Sequence, residues 1–180
     1  MASLVLNGNT SGSVTLSSPA VSGTTVLTLP TTSGTVITSA SSQVTGPAFS
    51  AYSNAAQSIT TSTLTKVVFQ LEEFDTASAF DNTTNYRFTP QVAGYYQVVG
   101  SMSPSVSTTR AFCTIYKNGS EVKRGNDLNT VVSTINVTAL VYLNGTTDYI
   151  ELYGYIVGTS PAIVTDQLRT YFQASMVRGA

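Results

Sequence analysis

Four carboxylates crowd one short stretch of the chain: Glu72, Glu73 and Asp75, followed by Asp81. Paired acids can hydrolyse glycosides, one as general acid and the other as base or nucleophile. Their position at the end of a β-rich run instead reads as a solvated turn. Ser120-Glu-Val-Lys123 has the Ser-x-x-Lys spacing of an acylating serine. That chemistry needs the lysine one helical turn from the serine, whereas this motif follows an Asn-Gly turn between β-rich segments. Histidine is absent from the sequence, which removes the usual general base, the Ser-His-Asp arrangement and His-containing zinc sites. The lone Cys113 can supply neither an intramolecular disulfide nor a thiolate cluster. Alternation puts it on one strand face with Ala111 and Ile115, so it reads as a small buried hydrophobe. The expectation is a protein that is not an enzyme.

Composition narrows the partners. Charged residues make up 9% of the 180, against about a quarter in an ordinary soluble domain. The net charge of −1 leaves little repulsion between copies, which favours assembly. The eight Lys and Arg are scattered singly except for Lys123-Arg124, so no basic stripe exists to displace phosphate counterions, and nucleic acid is not an expected partner. No apolar run approaches the ~20 residues of a membrane-spanning helix, and Met1-Ala-Ser-Leu-Val-Leu-Asn7 lacks the basic start and apolar core of a secretory signal. Five Asn-x-Ser/Thr sequons, at Asn9, Asn82, Asn118, Asn136 and Asn144, are what chance supplies in so Ser/Thr-rich a chain.

The elements that must position these residues fall into two physically different parts. The first charged side chain is Lys66 and the first aromatic is Phe49. Residues 1–46 hold twenty Ser and Thr, interrupted by short aliphatic groups such as Leu4-Val-Leu6, Val14-Thr-Leu16 and Val26-Leu-Thr-Leu29. These predict short β-strands. Ser-Gly recurs at Ser11, Ser22 and Ser33, each followed by a β-branched group, a weak eleven-residue repeat. Units this small cannot bury an apolar face alone and stack or intertwine with neighbours. The expected domains are therefore an anchoring and trimerising segment, 1–46, and a knob, 47–180.

From Pro47 onward the pattern predicts antiparallel strands at Phe49–Tyr52, Lys66–Leu71, Asn85–Phe88, Gly94–Met102, Ala111–Tyr116, Val131–Leu143, Tyr149–Val157 and Leu168–Val177. Asn118-Gly119 and Asn144-Gly145 each predict a hairpin. About ten strands in an all-β, two-sheet jelly roll is the expected architecture. In Val131–Leu143, Val131, Ile135, Val137, Ala139, Val141 and Leu143 share a face, opposite Thr134, Asn136 and Thr138. Tyr149–Val157 differs because both faces are largely apolar, with Tyr149, Tyr153 and Tyr155 on the second. A tyrosine-rich second face suits a subunit interface, and Tyr95 extends the same tendency.

Phe49-x-Ala-Tyr52, Lys66-Val-Val-Phe69, Tyr86-Arg-Phe-Thr-Pro90, Gly94-Tyr-Tyr96 and Tyr116-Lys-Asn-Gly119 resemble the globular head of complement component 1q and its tumour necrosis factor-like relatives. The resemblance spans about residues 48–180 and implies a ten-strand jelly roll that associates as a homotrimer. It departs at Gln173-Ala-Ser-Met176, where the family has Gly-Phe. That trimeric association matches the two-faced Tyr149–Val157 strand, and the interface expected from the strand faces includes Tyr95, Tyr149, Tyr153 and Tyr155. Some members bind calcium through aspartates, so Asp75, Asp81, Asp127 and Asp148 are the candidate ligands. The stretch from Leu4 to Pro30 resembles N-terminal segments of bacteriophage fibres and other virion appendages. In that reading Leu4, Leu6, Val14, Leu16, Val26 and Leu29 anchor the chain to the particle.

Together these readings predict a trimeric capsid decoration or head-fibre protein on the virion surface, held by the major capsid protein or another virion protein. A chain this short has no shaft, which favours a capsid ornament over a tail fibre. The alternative is a tail-fibre tip or receptor-binding knob. Its loops around Ser103–Arg110, Lys123–Thr130 or Gly158–Asp166 would then recognise a host-surface glycan.

Overall fold

Alternating β-branched and aromatic residues between Gly- and Asn-containing turns leave the backbone one economical way to satisfy its hydrogen bonds, the antiparallel ladder. The computed structural model describes residues 3–7, 10–17, Gly23, Val26, 46–105, 108–129 and 133–180, and every regular element among them is a strand or turn. The chain divides into two units, Met1–Gln43 and Val44–Ala180. Leu29 and the Ser33-Gly34 copy of the repeat lie outside the described residues.

In the first unit β1 (Ser3–Asn7) pairs antiparallel with β2 (Ser13–Ser17). Gly12 takes the left-handed φ of 79° that closes the turn. Leu4 pairs with Leu16 and Leu6 with Val14, alternating with Ser3–Ser17, Val5–Thr15 and Asn7–Ser13. The period of two places the four aliphatic positions on one face of the ribbon and mostly hydroxyl- and amide-bearing positions on the other.

The second unit begins with β3 (Ala48–Tyr52), β4 (Gln57–Ser58), β5 (Thr65–Lys66), β6 (Leu71–Asp75), β7 (Phe80–Asp81) and β8 (Arg87–Phe88). Longer strands follow: β9 (Ala93–Met102), β10 (Arg110–Lys117), β11 (Ser120–Arg124), β12 (Ile135–Asn144) and β13 (Ile150–Val157). The short β14 (Ala162–Ile163) and the long β15 (Tyr171–Gly179) complete it. One sheet runs β12-β9-β15-β3-β6 and the other β11-β10-β13-β8-β7, with β5 also on β13; β14 and β4 make a small two-stranded addition. The expected two-sheet sandwich is present, with more strands than ten because several two-residue strands join the long ones.

The sheets enclose one aromatic core. Phe49 stacks on Phe80 and on Phe88 at 4.6 and 4.5 Å between ring centroids, and Phe172 meets Phe49 edge-on at 5.3 Å. Such pairs add about 0.5–1.5 kcal/mol each to ordinary burial. Tyr96 is fully buried with its hydroxyl donating to the Val92 carbonyl, and burial pushes its pKa up to about 12. Along β12 every expected inward residue from Ile135 to Leu143 is buried, while Val131 lies outside the described residues. Gly100 and Gly154 let the sheets close: a Cβ at Gly100 would stand 2.3 Å from Leu152 Cδ1, and one at Gly154 2.5 Å from Met102 Sδ.

Two expected elements are corrected. Lys66–Leu71 is not one strand, because β5 pairs with β13 in one sheet and β6 with β3 in the other. The chain crosses between sheets over residues 67–70, where the Gln57 side chain donates to the Lys66 carbonyl and accepts from the Val68 amide. That side chain replaces the ladder partners lost in the crossing. Asn118-Gly119 does form a hairpin, with both residues at positive φ as the tight turn requires. Asn144-Gly145 does not, since β12 and β13 belong to different sheets. There the Asn144 side-chain oxygen accepts from the amides of Thr146, Thr147 and Asp148, turning the chain from one sheet to the other.

Candidate functional site

The acids that suggested chemistry are spent on holding turns. Asp81 accepts from the amides of Thr83, Thr84 and Asn85 and from the Thr83 hydroxyl and Asn85 amide, which hold its carboxyl far below the usual carboxylate range. Asp75 accepts from the amides of Ala77 and Phe80. Asp127 forms a two-pronged pair with Arg110, and Asp148 is held by Lys117 and Asn118. The four candidate calcium ligands are therefore engaged separately. Among the described residues no three His, Cys, Asp or Glu converge on a metal-sized space.

Glu72 and Glu73 diverge as well. Burial and the neighbouring Asp75 raise the Glu72 pKa, while Ser50 and Gln167 hydrogen bonds lower that of Glu73. Ser120 and Lys123 stand three positions apart on β11, about 10 Å, so they do not form an acylating pair. Cys113 is buried, its thiol near the Ile135 carbonyl and its pKa pushed up to about 12 by burial, which makes it unreactive.

The four expected interface tyrosines divide between two faces. Tyr149, Tyr153 and Tyr155 lie with β13 on the outside of the six-stranded sheet, where the chain itself supplies their partners. Tyr153 stacks on Tyr116 at 4.1 Å, Tyr155 on Phe112 at 4.7 Å, and the Arg87 guanidinium lies 4.4 Å over the Tyr149 ring. Arg124 covers the other side of Phe112 at 4.2 Å while paired with Glu121. Beneath the tyrosines, buried Glu151 holds Lys66 at 2.5 Å. The second apolar face of this strand is thus explained within one chain, by cross-strand stacking and cation–π contacts.

Tyr95 lies on the opposite, five-stranded sheet. It faces Tyr142 directly across the β9–β12 ladder, and both rings are 42% exposed. Leu140 and Val177, 56% and 55% exposed, stand beside them and with Arg178 line an open groove of about 680 Å³. Leu140 and Tyr142 escaped the sequence reading although the β12 alternation points them outward; the polar Asn136 and Thr138 stood for the whole face.

A second hollow, of about 230 Å³, opens farther along the same sheet among Ser50, Tyr52, Glu73, Gln167, Tyr171 and Gln173. In the first unit Leu6 and Val26 are exposed, and Leu4, Val14 and Leu16 hold the register positions given above.

The topology and the two faces define a jelly roll of the tumour necrosis factor and complement 1q type. Murine APRIL matches at a TM-score of 0.58 and 10% identity, over 73% of this chain and 99% of that one. The globular domain of zebrafish complement 1qA matches at 0.56 and 20% identity, over 75% and 99%. The PRD1 vertex protein P5 matches at 0.51 and 11% identity, over 73% of this chain and 72% of that one. No family model and no curated protein matches the sequence.

Proposed function

We propose that the chain is a non-enzymatic, homotrimeric structural protein that decorates a bacteriophage capsid. Residues 1–46 bind the major capsid protein or another virion protein, and residues 47–180 form the knob displayed on the virion surface. The observation that carries this reading is the distribution of uncovered apolar surface. The acids and bases of the knob are largely consumed by its own turns and ion pairs, whereas Tyr95, Leu140, Tyr142 and Val177 remain exposed together at one end of the five-stranded sheet. A contiguous apolar patch of this kind fits a subunit contact, and a charge-free β-ribbon can add to a neighbouring surface without desolvating charge. The fold shared with the PRD1 vertex protein P5 is consistent with a place on a particle.

Self-association here uses Tyr95 with its neighbours on the five-stranded sheet, and leaves Tyr149, Tyr153 and Tyr155 on the outside of the assembly. Co-sedimentation with capsids lacking this protein tests the reading. The full chain binds as a trimer, and the chain without residues 1–46 remains a trimer but stays in the supernatant. Full capsid binding by the truncated chain, or specific labelling of tails instead of heads in micrographs, overturns it.

A further inference from the structure

The hollow on the five-stranded sheet differs from the apolar groove in chemistry and in place. The nearest lining residues of the two, Gln173 and Val177, are four positions apart on β15, about 13 Å, and the hollow and the groove share no residue. Tyr52 and Tyr171 are directly opposed in the β3–β15 ladder and flank its wall. Glu73 is fixed at the other side: one carboxylate oxygen accepts from the Ser50 hydroxyl at 2.7 Å and the other from the Gln167 amide at 2.6 Å. An ionised carboxylate has about four acceptor positions, so roughly half of this one remains open. The Gln173 amide and both tyrosine hydroxyls make no hydrogen bond among the described residues, leaving donors and acceptors turned to the same space.

The rim adds a second observation. Leu168 is 85% exposed, yet it sits on a turn that is not loose. Asp166 accepts from the Leu168 amide, pairs with the Arg169 guanidinium, and its carbonyl accepts from the amides of Arg169 and Thr170. An exposed leucine on a hydrogen-bonded turn beside an oriented carboxylate, two tyrosines and two glutamines is the mixture that recognises a polyol ring with apolar C–H faces.

We propose that Ser50, Tyr52, Glu73, Leu168, Tyr171 and Gln173 form a binding subsite for one neutral saccharide ring. Two vicinal hydroxyls donate to the open positions of Glu73, and the Gln173 amide bonds a third. Tyr52, Tyr171 and Leu168 cover the C–H face. The volume suits one ring, being smaller than the ~300–1,000 Å³ of pockets that enclose drug-sized ligands. The Glu73 charge selects against uronic acids.

Ligand-observed saturation-transfer NMR on the full chain tests this, with methyl glycosides of glucose, galactose, mannose and rhamnose at millimolar concentration and glucuronate as the charged counterpart. The expected result is transfer to at least one neutral glycoside and none to glucuronate. Glu73→Gln should weaken binding about tenfold or more, the scale of one charge-assisted hydrogen bond. Leu168→Ser, at a position too exposed to unfold the chain, should weaken it measurably. No transfer to any neutral glycoside, equal binding of glucuronate, or unchanged affinity in Glu73→Gln overturns the proposal. Particle attachment plays no part in this measurement, so either reading can fail while the other stands.

Discussion

Tyr95 and Tyr142 occupy opposed positions of the β9–β12 ladder, their ring centroids 5.4 Å apart, and together they form an aromatic platform at the open end of the five-stranded sheet. The platform continues through Leu140 and Val177. If it is the contact between copies, a charge placed there is buried without a partner on assembly, at a cost of several kcal/mol per site. Leu140→Glu is therefore expected to convert the trimer to monomer in light scattering. An exposed substitution of this kind should shift the stability of the separated chain by less than about 1 kcal/mol. A Leu140→Glu variant that stays trimeric removes this face from the assembly.

The tyrosines of β13 should behave oppositely. Tyr153 stacks on Tyr116 and Tyr155 on Phe112 inside one chain. Tyr153→Ala removes a stacked pair and part of its burial, so it is expected to cost about 1–3 kcal/mol in denaturant unfolding. The mass of the assembly should not change. Dissociation without loss of stability would return Tyr153 to the interface.

The sheet spacing depends on missing side chains. Gly100 faces fully buried Leu152, and its added Cβ would meet Leu152 Cδ1 at 2.3 Å. Gly100→Ala is expected to destabilise by about 1–3 kcal/mol through overpacking. Gly179→Ala, where a Cβ meets nothing of its own chain within 4 Å, is the control and should be near neutral for the stability of the separated chain. Thermal unfolding of the two variants reads the difference.

Acid should loosen the knob through its turn aspartates. Asp81, Asp127, Asp148 and Asp166 all have folded pKa values lowered by hydrogen bonds or cationic partners. A lowered folded value means that the stability is present above the unfolded carboxylate range, near pH 4. It is lost as pH falls from there toward the folded values. Glu72, raised by burial, acts in the reverse sense, because its protonation relieves the folded state. The melting temperature should accordingly hold near neutrality and fall below about pH 4. Asp81→Asn leaves the Asn85 donors facing an amide and should cost about 1–3 kcal/mol at pH 7. It should also flatten the acid slope; an unchanged slope would exclude Asp81 as its source.

The alternation of β12, the tight Asn118-Gly119 turn and the burial of Cys113 were all legible in the sequence, because each follows from local rules: a period of two, a pair of left-handed residues, an apolar strand face. The absence of histidine and the scatter of charge likewise limit the chemistry open to the chain. Pairings between distant segments were not legible. Whether Asn144-Gly145 closes a hairpin or carries the chain to another sheet depends on where β13 finds its neighbours, and β10 and β8 decide that. The hollow around Glu73 has the same origin: Ser50, Glu73 and Gln167 come from three separate segments, and no spacing rule connects them.

The sequence by itself determined that this is an all-β chain in two unlike parts, poor in charge and without histidine, because composition and short-range periodicity carry that information. Only the tertiary structure decided which apolar faces are already covered. Tyr149, Tyr153 and Tyr155 look as available in the sequence as Tyr95, yet Phe112 and Tyr116 stack on two of them and Arg87 and Arg110 lie over the Tyr149 and Tyr155 rings. The physical reason is that exposure belongs to contacts between strands far apart in the chain, and a strand's own pattern states only which residues share a face.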